Sequence, residues 1–373
     1  MTRIAQIANF YGPKSGGLKT SMVEIAKQYS HVGIECLQIV PGHSFSRSFT
    51  NYSELITIPG WRIPLSGGYR VIVGTKKIKS ILTEYSPDLI EINDRLTLLG
   101  LASWASKKNI KTVLFAHEIL VNVLKTFFPF IPGLDSIVQW HNKNSYKKFD
   151  HVVATTNFAA QEFQSIGANN LSIIPLGVDR EIFNENRVDY EIRNHEIFPK
   201  LVLCSRLSKE KNPELAFKVL DLLVQNKMNP RLYVIGTGPL KTKLIKKYKN
   251  LPVTFVGYLS SRKTLAKYLA SVDFVLAPGP NETFCLAALE ALSCGTPVIA
   301  SEKSALKEIL ANGGGSCVDE SIENWVKDIC SLLEENDLRS QAIKNASNYS
   351  WQKTAQSLLS LYCLNHLAEG LVA

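Results

Sequence analysis

The order of strand-like and helix-like segments predicts an α/β protein made of two doubly wound domains facing a cleft. Three observations carry this. A chain of 373 residues is too long for one ordinary core. In both halves, short apolar runs rich in Val, Ile and Leu alternate with longer amphipathic runs, the pattern of parallel strands covered by helices on both faces. Several of the apolar runs end in glycine-bearing turns, at the edge where such sheets take their ligands.

The bulk numbers narrow the function. With 45% apolar and 20% charged residues the composition is that of a globular protein. The formal charge of +9 is spread out, with 20 basic against 15 acidic residues over 1–190 and 22 against 18 over 191–373. There is no basic tail, so no nucleic acid partner is expected. The diffuse charge suits phosphorylated substrates or an anionic membrane surface. Seven scattered cysteines with no Cys-x-x-Cys pair argue against a disulfide framework or a zinc site and for a reducing compartment. The opening residues are too short and polar for a signal peptide, and the apolar window 119–138 is interrupted by Lys125, Asp135, Pro129 and Pro132. The expected location is cytoplasmic.

The first domain is placed at 1–190. Residues 3–8 read as a buried strand, followed by a glycine loop through Gly16 and Gly17 and a helix from about Thr20 to Tyr29. The loop narrowly misses a phosphate-binding P-loop, because Leu18 stands where the lysine should be. Its two glycines still allow backbone to approach an anion or a sugar. Strands are expected at 34–40, 88–92, 111–116, 151–155 and 171–175, with helices at 69–85 and 96–107. His117 follows a strand end, at the ligand-binding edge. Residues 119–148 break the rhythm, mixing aromatic and aliphatic residues with Lys125, Lys143, Lys147 and Lys148. The simpler reading is a helical insertion packing on the sheet; the alternative is an amphipathic segment touching membrane or a lipid acceptor. The polar stretch 180–199 reads as the linker.

The second domain is placed at 191–350. Strands are expected at 201–204, 232–235, 253–256 and 274–277, with a helix over 213–225 and a turn at Gly236-Thr-Gly-Pro239. The strand at 274–277 feeds the stretch Pro278–Ser301: a turn cluster, a helix-compatible run from Phe284 to Ser293, the stop at Gly295, and a last short strand. Glu282 lies before this helix and Glu290 about two turns inside it, so both can lean toward a pocket at the helix N-terminus, itself an anion site. A final helix, 351 to about 367, completes the chain and can pack back on the first domain.

Four motifs occur in order: Pro175-Leu-Gly-Val-Asp179, Arg206 five residues before Lys211, Gly236-Thr-Gly238, and Glu282-Thr-Phe with Glu290-Ala-Leu-Ser-Cys-Gly-Thr-Pro297. Together they resemble the signature of the retaining nucleotide-sugar glycosyltransferases of family 4, whose fold is the GT-B pair of Rossmann-like domains. The resemblance spans the chain and is densest from Pro175 to Ser301. It implies a donor-binding C-terminal domain and an acceptor-side N-terminal one. Arg206 and Lys211 would hold the donor diphosphate and Glu290 the ribose hydroxyls. Glu282 would bind hydroxyls of the donor sugar, helped by the backbone N–H groups of Phe284, Cys285 and Leu286. His117 would face the reacting sugar, and Gly16 and Gly17 would close over the phosphates. No cofactor or metal is implied beyond the nucleotide-sugar donor, since no Asp-x-Asp occurs and protein cations take the ion's place. The wording around Glu282 resembles bacterial α-mannosyltransferases that use GDP-mannose on lipid or glycan acceptors. The alternatives are transfer from a UDP-sugar, epimerisation of the nucleotide sugar, or binding without turnover. One departure stands out: Cys285 occupies a position where the family usually has glycine.

Overall fold

The structure is a computed structural model, and it describes residues 1–12, 16–63, 68–127, 130–193 and 196–371. Residues 13–15 of the glycine loop and 128–129 of the insertion lie outside the described residues. The chain forms two compact units, Met1–Leu176 with Trp351–Ala373, and Gly177–Ser350. The division therefore falls after Leu176 and not at 190. The polar stretch beyond it belongs to unit 2 because Phe183 is fully buried there, and Asp189 N donates to Ser271 Oγ at 2.7 Å.

The unit 1 sheet is assembled from β1 (Arg3–Ile7), β2 (Glu35–Gly42), β3 (Ser46–Phe49) and β4 (Glu54–Pro59) in the first part of the chain. A small hairpin of β5 (Trp61–Arg62) and β6 (Arg70–Val71) stands apart from it. The chain then adds β7 (Leu89–Ile92), β8 (Lys111–Ala116), β9 (His151–Ala154) and β10 (Leu171–Ile173). Their order across the sheet is β10-β9-β8-β7-β1-β2-β4-β3, parallel throughout except for the edge strand β3. Strands β3 and β4 had no counterpart in the sequence reading, since β3 is a polar, wholly exposed strand with no apolar alternation to reveal it. The helix expected over 69–85 begins only at Lys76: Arg70–Val71 pairs as a strand, and Gly74 at φ +86° breaks the chain between them.

The C-terminal segment completes this unit. Thr354 Oγ1 donates to the carbonyl of Pro175 at 2.8 Å. Tyr362 Oη donates at 2.8 Å to Glu91 Oε1 in mid-sheet, and Tyr29 Oη (2.5 Å) and Gln6 Nε2 (2.8 Å, to Oε2) donate to the same carboxylate. Glu91 is 1% exposed, and burial raises its pKa despite these donors. The last long helix stops at Leu361 and not near 367, because Cys363 takes φ +63°.

Unit 2 contains β11 (Lys200–Cys204), β12 (Arg231–Ile235), β13 (Val253–Gly257), β14 (Phe274–Ala277), β15 (Val298–Ser301) and β16 (Gly315–Val318), all parallel in the order β13-β12-β11-β14-β15-β16. This is the doubly wound arrangement with its direction reversing between β11 and β14, where the loops leaving the two strands part and open a crevice. In unit 1 the same reversal lies between β1 and β7. Each sheet has its own apolar core, built in unit 2 around Phe217, Phe274 and Trp325. No helix among the described residues is long and apolar enough to cross a membrane.

Candidate active site

The loops at the unit 2 switch point carry most of the residues singled out in the sequence. β11 leads into Ser205 and Arg206 and then into a single turn, Lys209–Lys211, whose end is set by Asn212 in the left-handed region at φ +44°. β14 leads into Pro278–Glu282. The two loops meet where Lys211 Nζ and Glu282 Oε1 lie 2.7 Å apart, with the glutamate 13% and the lysine 31% exposed. Burial alone lowers the Lys211 pKa, but the charge and hydrogen bond of Glu282 outweigh it, so the ammonium is held above its ordinary range. Lys211, Gly279, Glu282 and Cys285 wall one pocket together with Cys204 and Ser205 from the end of β11.

The Gly-x-Gly turn after β12 supports this loop from behind. A Cβ on Gly236 would lie 2.1 Å from the carbonyl oxygen of Ser205, and one on Gly238 would lie 2.4 Å from that of Leu207. Only glycine lets the two backbones close. They are joined by Leu207 N donating to the carbonyl of Thr237 (3.1 Å) and Leu240 N donating to that of Leu207 (2.9 Å). Gly236 and Gly238 thus fix the course of residues 205–207, on which Arg206 stands.

The helix after the pocket runs from Leu286 to Ser293, two residues shorter at its start than expected. Its cap is Cys285, at φ +66° and ψ 76°. That left-handed conformation is one glycine adopts without cost, which explains physically why glycine is usual here. Burial pushes the Cys285 thiol pKa far up, with Glu282 adding to the shift. Phe284 is turned into the core, edge-on to Tyr349 with ring centroids 6.0 Å apart, and Leu286 is likewise buried. Both can meet a ligand only through backbone N–H groups, which the first turn of a helix leaves without intrahelical partners. Glu290 is 8% exposed and pairs with Arg262, Nη2 to Oε1 at 3.3 Å. The helix closes at Gly295, φ +73°, whose N–H reaches the carbonyl of Leu292 at 2.9 Å.

The unit 1 candidates lie on the carboxyl edge of the other sheet. His117 follows β8; its Nε2 is 2.6 Å from Oδ1 of Asn93, which follows β7, and its ring stacks on Phe115. Burial lowers its pKa to about 4, so at neutral pH the imidazole is uncharged. With Asn93 Oδ1 as acceptor, Nε2 carries the proton. Gly16 caps and Gly17 begins the helix Gly17–His31, both exposed. A Cβ on Gly16 would meet nothing within 4 Å among the described residues, in contrast to Gly236 and Gly238.

Comparison with known proteins places this geometry. Residues 15–182 match the family described as Glycosyltransferase Family 4, and residues 187–349 match Glycosyl transferases group 1. The chain is 38% identical, over 96% of its length and 95% of the relative's, to a GDP-mannose-dependent alpha-(1-6)-phosphatidylinositol dimannoside mannosyltransferase of Mycobacterium tuberculosis. The chain belongs to glycosyltransferase family 4. A GDP-mannose-dependent alpha-mannosyltransferase of Corynebacterium glutamicum is 23% identical to this glycosyltransferase, over 93% of it and 82% of the relative. Among solved structures, a sucrose-phosphate synthase from Thermosynechococcus elongatus superposes with a TM-score of 0.78 at 18% identity, covering 99% of the glycosyltransferase and 100% of that chain. That likeness establishes the fold class, the GT-B pair of Rossmann-like units.

Three residues of the glycosyltransferase's candidate site escaped the sequence reading. Arg262, beyond the end of β13, is the partner of Glu290. Asn93 holds His117. Asn9, fully buried after β1, donates to Asp94 Oδ2 (2.9 Å) and to Thr97 Oγ1 (2.6 Å) and accepts from Ile72 N (2.8 Å). Each is a polar residue within a few positions of a strand's carboxyl end, and that common placement was the available signal.

Proposed function

We propose that this glycosyltransferase moves mannose from GDP-mannose onto a glycolipid acceptor with retention of configuration. The observation that carries the reading is the Lys211–Glu282 pair at the unit 2 switch point, a cation for phosphate beside a carboxylate for hydroxyls. In this reading Arg206 and Lys211 grip the diphosphate, and their charge is aimed at the oxygen on which negative charge develops as the sugar C1–O bond breaks. Glu282 exchanges its lysine contact in part for hydroxyls of the donor sugar. The N–H groups of Phe284, Cys285 and Leu286 add hydrogen bonds at the helix start, and Glu290 accepts from the ribose. The acceptor hydroxyl forms the new bond to C1 on the face the phosphate leaves, and its proton passes to that phosphate.

For unit 1 the resemblance supplies the roles: Gly16 and Gly17 approach the phosphates, and neutral His117 accepts from a sugar hydroxyl. Neutrality suits that task, because an imidazolium would bind anions in preference to hydroxyls. The relative's printed acceptor is a phosphatidylinositol dimannoside, and a mannosylated lipid is accordingly the acceptor proposed here.

The insertion supports work at a lipid surface, at the inner face of the cell membrane. Leu134 and Val138 of its helix are buried, whereas Phe130, Ile137 and Trp140 are 78%, 55% and 69% exposed, with Lys143, Lys147 and Lys148 close in sequence. Apolar anchors beside cations are the chemistry of an anionic bilayer interface. Incubation with a panel of GDP- and UDP-sugars decides the donor: turnover of GDP-mannose with a mannosylated phosphoinositide is expected, and reaction with UDP-sugars alone would refute the mannose assignment. Co-sedimentation with anionic liposomes tests the surface, and equal recovery with neutral ones would refute it.

A further inference from the structure

The family signature accounts for Glu290 but not for the cation bound to it. Arg262 is the first residue of the helix Arg262–Ser271, the end at which a positive side chain works against the helix dipole. Something outside that helix must favour it there, and two contacts do. Its Nη2 lies 3.3 Å from Glu290 Oε1, and its guanidinium carbon lies 5.1 Å from the centre of the Phe183 ring. Phe183 is fully buried, and its carbonyl accepts from Ser293 Oγ at 2.6 Å, on the same helix as Glu290 and three residues further on. The guanidinium is thus held between a carboxylate on one helix and the ring of a residue whose backbone carbonyl is hydrogen-bonded to that same helix.

We propose that Arg262 is a positioning residue that holds the Glu290 carboxylate turned to accept from the donor ribose. The inference rests on the assignment of Glu290 to that ribose. Removing the guanidinium would break a buried ion pair and free the carboxylate to turn elsewhere. The carboxylate also acts on Cys204 at the end of β11, whose thiol pKa is pushed up to about 12 by burial first and by the charge of Glu290 second. Cys204 is in turn one of the residues that wall the pocket. Arginine suits the task better than lysine, because its planar head can pair at the edge and stack by the face together.

The test is calorimetric binding of GDP and 2′,3′-dideoxy-GDP, with the uridine pair in parallel, to the full chain and to its R262Q, R262K, E290Q and R262Q/E290Q variants. The wild type is expected to bind GDP about tenfold more tightly than the dideoxy compound, a difference of about 1.4 kcal/mol. R262Q should weaken GDP and leave the dideoxy compound nearly unchanged, closing that gap. R262K should reopen part of it, and the double variant should bind GDP no more weakly than E290Q. A general loosening of the fold would weaken both ligands alike and preserve the gap. If E290Q closes the gap and R262Q preserves it, the inference about Arg262 is overturned while the ribose assignment stands. If E290Q itself preserves the gap, the ribose assignment falls and this inference falls with it.

Discussion

The two sheets reverse direction at equivalent places and furnish those places with opposite chemistry. At the reversal between β1 and β7 stand Asn9, Asn93, Asp94 and Thr97, with an uncharged His117 just past the neighbouring β8; Asn9 bonds to Asp94 and Thr97 at 2.9 and 2.6 Å, and His117 meets Asn93 at 2.6 Å. Arg95 beside them is tied to Glu162 at 2.7 Å and to the carbonyl of Glu118. Between β11 and β14 the chain sets Arg206, Lys211 and Glu282, with Arg262 and Glu290 close by in the fold. The first edge suits neutral hydroxyls and the second suits phosphates. A doubly wound sheet supplies the crevice, and the loop residues decide what enters it.

That contrast can be broken experimentally, most severely in unit 2. Replacing Arg206 or Lys211 with alanine should lower kcat by about 10²–10³-fold, as loss of a preorganised charge generally does. Steady-state rates check this, and an Arg206→Ala enzyme at full rate would remove the charge from the mechanism. Next comes the support behind that charge. Gly236→Ala places a methyl 2.1 Å from the Ser205 carbonyl at a φ of +130°, and should cost on the order of 3 kcal/mol in urea unfolding. Gly16→Ala meets no atom of the described fold and should cost far less stability in the same unfolding measurement than Gly236→Ala.

The unit 1 edge should respond to acid through His117. His117 has a folded-state pKa of about 4 against an ordinary value near 6.5, so it takes up a proton more readily when unfolded. Its contribution is therefore fully present above about pH 6.5 and is lost as pH falls toward 4, amounting to about 3 kcal/mol. His117→Gln should flatten that limb of the stability profile, and an unchanged slope would reassign the acid sensitivity. Lys211, with its pKa raised, keeps its charge throughout this window. The smallest effect concerns Cys285: replacement by glycine relieves its left-handed strain and should gain about 0.5–1 kcal/mol after the entropy of glycine is counted, while valine should cost about 2 kcal/mol.

The two edges also differed in how far the sequence disclosed them. In unit 2 the candidate residues sit in motifs confined to one loop or one helix start each, so Arg206, Lys211, Glu282 and Glu290 could be read in a line. The helix Pro213–Gln225 and the strand Phe274–Ala277 appear with the bounds the pattern implied, because each is closed by a proline, a polar run or a turn. In unit 1 the partners are tertiary: Asn93 meets His117 across 24 residues and Asn9 meets Asp94 across 85, and no local periodicity records either contact. Edge strand β3 escaped for a related reason, since a strand open to solvent has no apolar face. Arg262 looked like one more cation on a surface helix, and only the fold brings Glu290 to it.

The docking of the C-terminal helix has a consequence for how the protein is made. Unit 2 is spliced into unit 1, entering after Leu176 and leaving before Trp351. Both seams are stitched within their own units, Val178 bridging to Ser350 and Thr354 to the Pro175 carbonyl. On the ribosome, Glu91 is buried in a sheet whose last donor, Tyr362, emerges some 270 residues later, after the whole of unit 2. Unit 1 must therefore wait through the synthesis of its neighbour with a carboxylate short of a partner, while unit 2 can close as soon as Ser350 has left the exit tunnel. Nascent chains held on the ribosome by a linker fused after Ser350, long enough for Ser350 to clear the exit tunnel, should show a protease-resistant unit 2 beside a unit 1 that is still readily cut; placing the same linker after the last helix should protect unit 1 as well without changing unit 2.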